Sequence, residues 1–465
     1  MRDSSEDSPE QVNSPEHATN PVDEWLPLRW SLPLGIQHLL AACASIVITP
    51  LVLAGALGWP EEQITYLISA GLLGTGIATL IQVLGIPGIA VGTKLPVIQG
   101  TTIAVIPPLI AIGQTSDITV MFGATIFAGS VCLLLAGVWS RLLHLFPPVV
   151  TGTVITVIGV SLFPVAVMWL SGGAGFGAQA TSAAEVGLGL STLLLVLLLV
   201  RYGNNFLSRT AILCGLIFGS IAAAAFDMGN FSGVARADWL LLPLPFAYGL
   251  PGFTVSACVA MTLAMLVTMV ESTGDYIAIG EVCEQKVDQK RLAAGLRAEG
   301  IGTIIGGIFN AFPYTTFSQN IGVIRVSGVR SRYVVAVTGV MFIGLSLAPK
   351  AAAIVSNIPT PVLGGCGLVL FGSIAATGIQ TLRKVDFEQT GNLITVGVSL
   401  GAAMLVVANP IYFAQLPGFL PDILNNPITL GGVSAVSLNL VFNGMKRPGE
   451  PLPEEHSALD LSRKG

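Results

Sequence analysis

Two carboxylates and a pair of carboxamides stand in stretches of the chain that are otherwise apolar. Glu271 and Asp275 end a long run of apolar or small residues, and their spacing of four places them on one face of a helix. Gln319 and Asn320 lie in a second, interrupted apolar stretch. Burying such groups in hydrocarbon is costly unless they bind a ligand or are satisfied by the protein. They are therefore the first candidates for ligand binding and proton transfer.

These side chains suit different parts of that chemistry. We expect Glu271 to accept ring N–H groups of a polar substrate and Gln319 to offer a donor and an acceptor to a heterocycle edge. Asp275 would orient the substrate or relay protons, because two carboxylates on one face repel and at least one should be protonated or hydrogen-bonded. The alternative is that both acids lie at the cytoplasmic end of the helix and are hydrated. Ser318, next to Gln319, is a further substrate-binding candidate.

Glu299 begins a glycine-rich stretch, Glu-Gly-Ile-Gly-Thr-Ile-Ile-Gly-Gly. A carboxylate followed by glycines indicates tight helix packing around a buried acid. We expect Glu299 to be the proton-coupling group. The alternative is a structural ion pair with Arg297 or Arg325.

Three further residues are weighed against plain packing roles. His38, in an apolar span, either orients part of a proton path or is a satisfied packing residue. Asn320 is expected to tie its loop down and support the site. Phe163 is a candidate for stacking on a substrate ring, although an aromatic side chain in such a span usually packs against lipid or core.

The composition predicts an integral membrane protein. Of the 465 residues, 52% are hydrophobic and only 10% are charged, against about 25% charged in ordinary globular chains, and the mean hydropathy is +0.78. The net charge of −5 arises largely in the tails and gives no basic face for nucleic acid. The six cysteines and four histidines are scattered, so the sequence predicts no metal, no cofactor and no enzyme active site.

Apolar runs long enough to cross a bilayer place the elements that must position these residues. Two pieces, near 97–112 and 316–327, are too interrupted to cross alone. The first half-helix would start near Gln99 or Thr101, and both residues are substrate-binding candidates. Both pieces should be half-helices whose N–H groups point at the ligand. The full spans are predicted near 30–53, 62–82, 118–139, 147–170, 188–201, 209–226, 254–280, 292–310, 332–348, 362–379, 391–409 and 427–442.

The fourteen segments divide as seven plus seven, with a short piece third in each half. An odd number per half inverts the second repeat, as in many secondary transporters. The predicted units are a disordered cytoplasmic tail at 1–25, repeats at 26–226 and 227–445, and a cytoplasmic tail at 446–465, with a flexible outward loop at 171–187. Lys and Arg concentrate in the connections that this count places inside.

The sequence resembles the nucleobase–ascorbate transporter family, the second type of nucleobase:cation symporters, over nearly all of 26–445. The family signature reads here from Gln319-Asn320-Ile-Gly to Ser327-Gly328, with Ser327 in the place of the usual threonine. The stretches Gln37-His38, Glu271 to Asp275 and Ala298-Glu299-Gly300 match as well. Glu299 departs from the Asp common at that position, and Arg325 adds a charge at a free position of the signature.

The resemblance implies an all-α polytopic fold with core and gate domains and a short strand before half-helices three and ten. It implies that the residues matching Glu271 and Gln319 hold a nucleobase, and that those matching His38, Asp275 and Glu299 support coupling or site geometry. Gln at 319 and the stretch from Phe163 to Gly173 resemble the xanthine and urate branch, whereas uracil carriers usually have Glu there.

These observations together predict a purine importer of the inner or plasma membrane, driven by protons rather than sodium, with both termini cytoplasmic and a homodimeric assembly. Four alternatives stay open: a carrier of uracil or another nucleobase, a sulfate or anion exchanger of the same fold, a membrane-embedded enzyme and a passive channel. Against the exchanger, only about twenty polar residues follow the final span, and Glu271 would repel an anion.

Overall fold

A computed structural model describes residues 20–142, 145–172, 182–228, 232–417 and 420–444. The predictions for the two tails fall outside these residues, apart from positions 20–25, and part of the predicted loop at 171–187 does as well. The described chain is predominantly helical, with two short strands.

In the first half of the chain, the first strand lies between the helices α2 and α3. The elements of this half are α1 (Leu28–Leu57), α2 (Glu61–Leu84), β1 (Gln99–Thr101), α3 (Ile106–Thr115), α4 (Ile118–Leu135), α5 (Trp139–Leu142), α6 (Pro148–Ser161), α7 (Phe163–Leu170), α8 (Ala183–Tyr202), α9 (Asn205–Arg209) and α10 (Ala211–Ala225). Short 3₁₀ turns cover Pro21–Asp23 and Ile103–Val105.

The second half of the chain carries the second strand between two helices in the same way. Its elements are α11 (Ser232–Arg236), α12 (Val255–Val282), α13 (Gln289–Ile308), β2 (Tyr314–Thr316), α14 (Ser318–Ser327), α15 (Arg332–Ser346), α16 (Pro349–Ser356), α17 (Thr360–Leu382), α18 (Thr390–Ala408), α19 (Leu420–Leu424) and α20 (Pro427–Asn443).

Several helices have the length and composition of membrane spans. Among the described residues, eight helices pass that test, counting α6 and α7 as one span, and α15 with α16 makes a ninth if the bent pair is one span. That pair bends by 79°, because Pro349 cannot continue the preceding helix. Shorter apolar helices cover Ile103–Thr115, Ala211–Ala225 and Pro427–Asn443. The count of fourteen segments remains a prediction.

The helices pack as two bundles. The first bundle consists of α1, α2, α4, α12, α13 and α15, and the second consists of α6, α7, α8, α10, α17, α18 and α20. Glycines bring helices together within the first bundle. A Cβ on Gly129 would lie 2.9 Å from the Gly300 carbonyl oxygen, and a Cβ on Gly302 would lie 2.7 Å from the Ala78 Cβ. The predicted tight packing around Glu299 is therefore confirmed.

Inside the first bundle, β1 and β2 form a two-stranded antiparallel sheet. Gln99 pairs with Thr316 and Thr101 with Tyr314, and all six strand residues are buried. Each strand leads into a ten-residue helix, α3 or α14. Extended backbone at this depth needs partners within the protein, and the strands supply them to each other. A side chain at Gly100 would overlap the Phe317 ring, so only glycine fits there.

The helix predicted from residue 188 begins earlier, at Ala183. Ser182 and Glu185 form a capping box, in which the Ser182 hydroxyl accepts from the Glu185 N–H and the Glu185 carboxylate accepts from the Ser182 N–H. Such a pair satisfies two of the orphan N–H groups at the start of a helix. The prediction of loop to residue 187 was therefore wrong, since it followed hydrophobicity and overlooked the capping residues.

Candidate functional site

A cavity of about 150 Å³ lies where the two bundles meet. Its volume is below the roughly 300 Å³ at the lower end of pockets for drug-sized ligands, so it suits a small molecule. The first bundle and its strands contribute polar side chains to the wall, namely Ser45, Thr101, Thr102, Glu271, Thr315, Thr316 and Ser318. No lysine, arginine or histidine among the described side chains lines the cavity.

The second bundle supplies the opposite wall, which is largely apolar. It is formed by Ile155, Ile158, Leu370, Ser373, Ile374 and Thr377. Ser373 and Thr377 stand four apart on α17, and each hydroxyl donates to a backbone carbonyl of its own helix, Val369 and Ser373 respectively. Their lone pairs remain able to accept from a ligand. Sequence reasoning missed both, although their spacing on an apolar helix was a signal.

Glu271 projects into this cavity from α12. Its carboxylate accepts no hydrogen bond from the described part of the chain, although it is half-buried. A half-buried carboxylate without donors is a strong acceptor for a ligand that carries N–H groups. This placement agrees with the substrate-binding role predicted for Glu271.

Asp275 lies one turn further along α12 and is 8% exposed. Both of its carboxylate oxygens accept from the Ser318 hydroxyl, each at 2.9 Å. The same helix holds the strand before Ser318, because the hydroxyls of Ser272 and Thr315 are 3.0 Å apart. Asp275 therefore positions the start of α14, and Ser318, which also lines the cavity, links the two.

Glu299 is fully buried on α13. Its Oε2 accepts a hydrogen bond from the Tyr276 hydroxyl at 3.0 Å. The alternative of an ion pair with Arg297 or Arg325 is contradicted for the described residues, because Arg297 donates to the Ala90 carbonyl and Arg325 is exposed. The carboxylate lies behind the cavity wall and does not line it.

The two residues predicted at the start of the first half-helix differ in position. Thr101 lines the cavity and its hydroxyl donates to the Ile46 carbonyl. Gln99 lies behind the strands, where its Nε2 donates to Thr316 Oγ1 at 3.1 Å and to Tyr276 Oη at 3.2 Å. Gln99 thus supports the cavity wall from the side away from the cavity, and the structure does not bring this predicted substrate-binding residue to the cavity lining.

The other predicted residues surround this arrangement. Asn320 donates from Nδ2 to the Pro96 carbonyl at 2.6 Å, which ties α14 to the segment before β1. His38 is buried on α1, and Phe163 is half-buried at the start of α7; neither lines the cavity. The side chain of Gln319 lies outside the described residues. Its substrate-binding role remains a prediction.

Comparison with known proteins gives one consistent result. Residues 29–411 match the Permease family. The chain is 39% identical to the uric acid transporter UacT of Escherichia coli over 96% of this chain and 93% of the relative. It is 40% identical to the uric acid permease PucK of Bacillus subtilis, over 88% and 94%, and 38% identical to the xanthine permease of Bacillus subtilis, over 89% and 94%.

Two solved structures share the fold. The transmembrane domain of the cyanobacterial bicarbonate transporter BicA superposes with a TM-score of 0.60 at 17% identity, covering 83% of this chain and 100% of that one. The murine anion transporter Slc26a9 in its inward-facing state gives a TM-score of 0.54 at 12% identity, covering 90% and 69%. At these identities the likeness concerns the fold alone.

Proposed function

Because the chain belongs to the nucleobase–ascorbate transporter family of permeases, in its purine branch, we propose that it imports xanthine or urate together with protons. It is a multi-pass membrane protein. Relatives that are 38–40% identical over almost their whole length are uric acid and xanthine permeases. The site has the chemistry that such a substrate needs, since a purinedione carries several ring N–H groups and carbonyl oxygens.

The observation that carries the proposal is the Glu271 carboxylate, which lies in a cavity at the junction of the bundles and has no hydrogen-bonding partner among the described side chains. Ring N–H groups of the base would donate to this carboxylate. The carbonyl oxygens of the base would accept from hydroxyls such as those of Thr315 and Ser318. They would also accept from the Gln319 amide, for which the sequence predicts this role. The apolar wall from α6 and α17 would cover the ring faces. The dipole of α14, which begins at the cavity, favours electron-rich oxygens.

The arrangement of elements supports alternating access. The first bundle with the two half-helices corresponds to a core domain, and the second bundle to a gate domain. Binding in the shared cavity would be followed by movement of the core against the gate. Protons on Glu299, Asp275 or Glu271 would bias that equilibrium, as any ligand does that binds two conformations with different affinity. In this scheme fourteen segments form two inverted repeats, both termini are cytoplasmic, and the protein is a homodimer in the cell membrane.

An anion exchanger is the second candidate, because the fold neighbours include a bicarbonate transporter. The cavity argues against it: Glu271 faces the ligand space, and none of the described side chains there is basic. A buried anion beside an unpaired carboxylate is strongly disfavoured. Bicarbonate or sulfate should therefore neither bind nor compete.

Uptake in cells that lack their own purine carriers tests the proposal. Labelled xanthine and urate should accumulate, and each should compete with the other. Uracil, adenine and guanine should compete weakly, and sulfate should not compete. A protonophore should abolish accumulation, whereas removal of sodium should not. Uptake of labelled uracil or sulfate that xanthine and urate do not inhibit, together with no uptake of xanthine or urate, would contradict the proposal.

A further inference from the structure

A continuous chain of buried hydrogen bonds joins the cavity to Glu299. Thr316, which lines the cavity, accepts from Gln99 Nε2 at 3.1 Å. The same nitrogen donates to Tyr276 Oη at 3.2 Å, and this hydroxyl donates to Glu299 Oε2 at 3.0 Å. All four side chains are at most 1% exposed. The chain therefore runs through the protein interior from the ligand space to the buried acid.

Tyr276 has one proton and two acceptors within reach. Besides Glu299 Oε2 at 3.0 Å, the Gly295 carbonyl oxygen lies 3.3 Å from the hydroxyl. Gly295 stands one turn before Glu299 on α13 and must be small, since a Cβ there would lie 2.9 Å from the Tyr276 ring. A hydrogen bond to an ionised carboxylate is about twice as strong as one to a neutral oxygen. The charge on Glu299 thus decides which acceptor the hydroxyl prefers.

The second carboxylate oxygen of Glu299 is the place for an added proton. Oε1 accepts no hydrogen bond from any described residue. Protonation there removes a buried charge, which costs far more than a buried neutral group. Tyr276 then keeps its own proton, and its O–H group only turns from Glu299 towards the Gly295 carbonyl oxygen.

The groups that face Glu299 from the neighbouring helices are few. From α12 these are the hydroxyls of Ser272 and Tyr276 and the carboxyl groups of Glu271 and Asp275. From α4 the nearest titratable group is Cys132, whose thiol donates to the Leu296 carbonyl. On β2, Tyr314 donates to the Gly71 carbonyl. The α2 side offers only uncharged buried polar groups, of which Gln82 is one. Two hydroxyls of α12 therefore stand between Glu299 and the cavity wall: that of Tyr276, which bonds to Gln99, and that of Ser272, which lies 3.0 Å from the Thr315 hydroxyl.

We propose that Tyr276 is a positioning residue that transmits the protonation state of Glu299 to the substrate cavity through Gln99 and Thr316. The proposal rests on the proton coupling proposed above and assigns its structural route. With Glu299 ionised, the charge-assisted bond fixes the Tyr276 hydroxyl and, through it, the Gln99 amide. With Glu299 protonated, the hydroxyl turns to Gly295. The hydroxyl then holds the Gln99 amide less firmly, and the amide in turn holds β2 less firmly at Thr316. Substrate affinity and protonation are coupled in this way.

The test is uptake of labelled xanthine into proteoliposomes with and without an inward proton gradient. Tyr276→Phe keeps the ring and removes the hydroxyl. In this variant, the stimulation of xanthine uptake by the gradient should be at least about fivefold smaller than in the parent. Fivefold is the lower end of the usual coupling between two sites. Tyr314→Phe is the matched control, because it removes an equally buried hydroxyl that donates to the Gly71 carbonyl and not to Glu299. The stimulation of uptake by the gradient in Tyr314→Phe should equal that of the parent. Gln99→Met, which breaks the same chain nearer the cavity, should behave like Tyr276→Phe.

An infrared measurement on the purified protein supplies a second readout. The antisymmetric stretching band of the ionised Glu299 carboxylate, identified by its disappearance in Glu299→Gln, should shift in Tyr276→Phe and stay in place in Tyr314→Phe. A Tyr276→Phe protein with the parent's proton stimulation and an unshifted band would overturn the relay alone. A parent protein that transports xanthine without proton stimulation would remove the coupling and the relay together, and one that transports no purine would overturn the proposed function.

Discussion

At the scale of single residues, the site separates groups that face the ligand from groups that hold the wall. Glu271 faces the cavity without a hydrogen-bonding partner in the described chain, whereas Asp275 is bonded to Ser318. The two acids share a helix face, yet their surroundings differ. Sequence spacing predicted the shared face. It did not distinguish their surroundings, because these depend on a strand and a half-helix more than forty residues away.

The bond between Ser318 and Asp275 leads to a prediction about the half-helix α14. Ser318→Ala removes a hydrogen bond to the buried Asp275 carboxyl group, a loss of about 0.5–1.5 kcal/mol. We expect a lower melting temperature and weaker xanthine binding, because the start of α14 is less firmly held. Ser318→Thr keeps the hydroxyl and serves as the control. Equal melting temperatures and affinities for Ser318→Ala and the parent would show that the bond has no positioning role.

At the scale of elements, the interruptions in the sequence were informative. The predicted short pieces at 97–112 and 316–327 correspond to a strand followed by a short helix in each half, β1 with α3 and β2 with α14. Pro, Gly, Thr and Gln break the apolar pattern at these places, and such residues disfavour a continuous helix. Long apolar helices were equally readable: the span predicted at 254–280 is α12, Val255–Val282.

Other features of the elements were not readable, for physical reasons. The antiparallel pairing of Gln99 with Thr316 joins residues more than two hundred positions apart, and local patterns carry no information about such a partner. The link from Gln99 through Tyr276 to Glu299 depends on that pairing. Tyr276 itself looked like an ordinary residue of an apolar helix and was not singled out.

The crossing of the strands gives a prediction for Gly100. A Cβ at this position overlaps the Phe317 ring, which lines the cavity. Gly100→Ala should therefore displace the ring and weaken xanthine binding by at least about tenfold, or 1.4 kcal/mol. Gly71→Ala is the matched control, since its Cβ would meet only Thr101 Cγ2 at 4.0 Å. Equilibrium binding to the purified variants checks this, and equal affinity for Gly100→Ala and the parent would contradict it.

At the scale of the whole molecule, the proposed transport cycle requires the two bundles to move past each other. They touch closely where Gly55 on α1 packs under Trp169 on α7: a Cβ there would lie 2.6 Å from the indole nitrogen. The long apolar spans predicted a membrane protein without ambiguity, but no sequence pattern revealed this contact. It depends on how the two bundles are apposed in three dimensions.

The contact between the bundles can be used to shift the conformational equilibrium. Gly55→Val places a wedge between them and disfavours the described arrangement. We expect the transport rate to change by at least about fivefold, while binding to the cavity, which Gly55 does not line, changes less. Gly397→Ala, which meets no atom within 4 Å, is the control. Transport rates are measured in proteoliposomes, and an unchanged rate for Gly55→Val would argue against bundle movement at this contact.

Substrate binding to Glu271 is the central claim, and its most direct test is the dissociation constant of labelled xanthine for the purified protein. Glu271→Gln keeps the size of the side chain but replaces an acceptor oxygen by an amide donor. We predict that the dissociation constant rises at least about tenfold, since hydrogen bonds to a charged group contribute roughly 1.5–3 kcal/mol. The folded state is verified by the melting temperature. A correctly folded Glu271→Gln protein that binds xanthine as tightly as the parent would contradict the account.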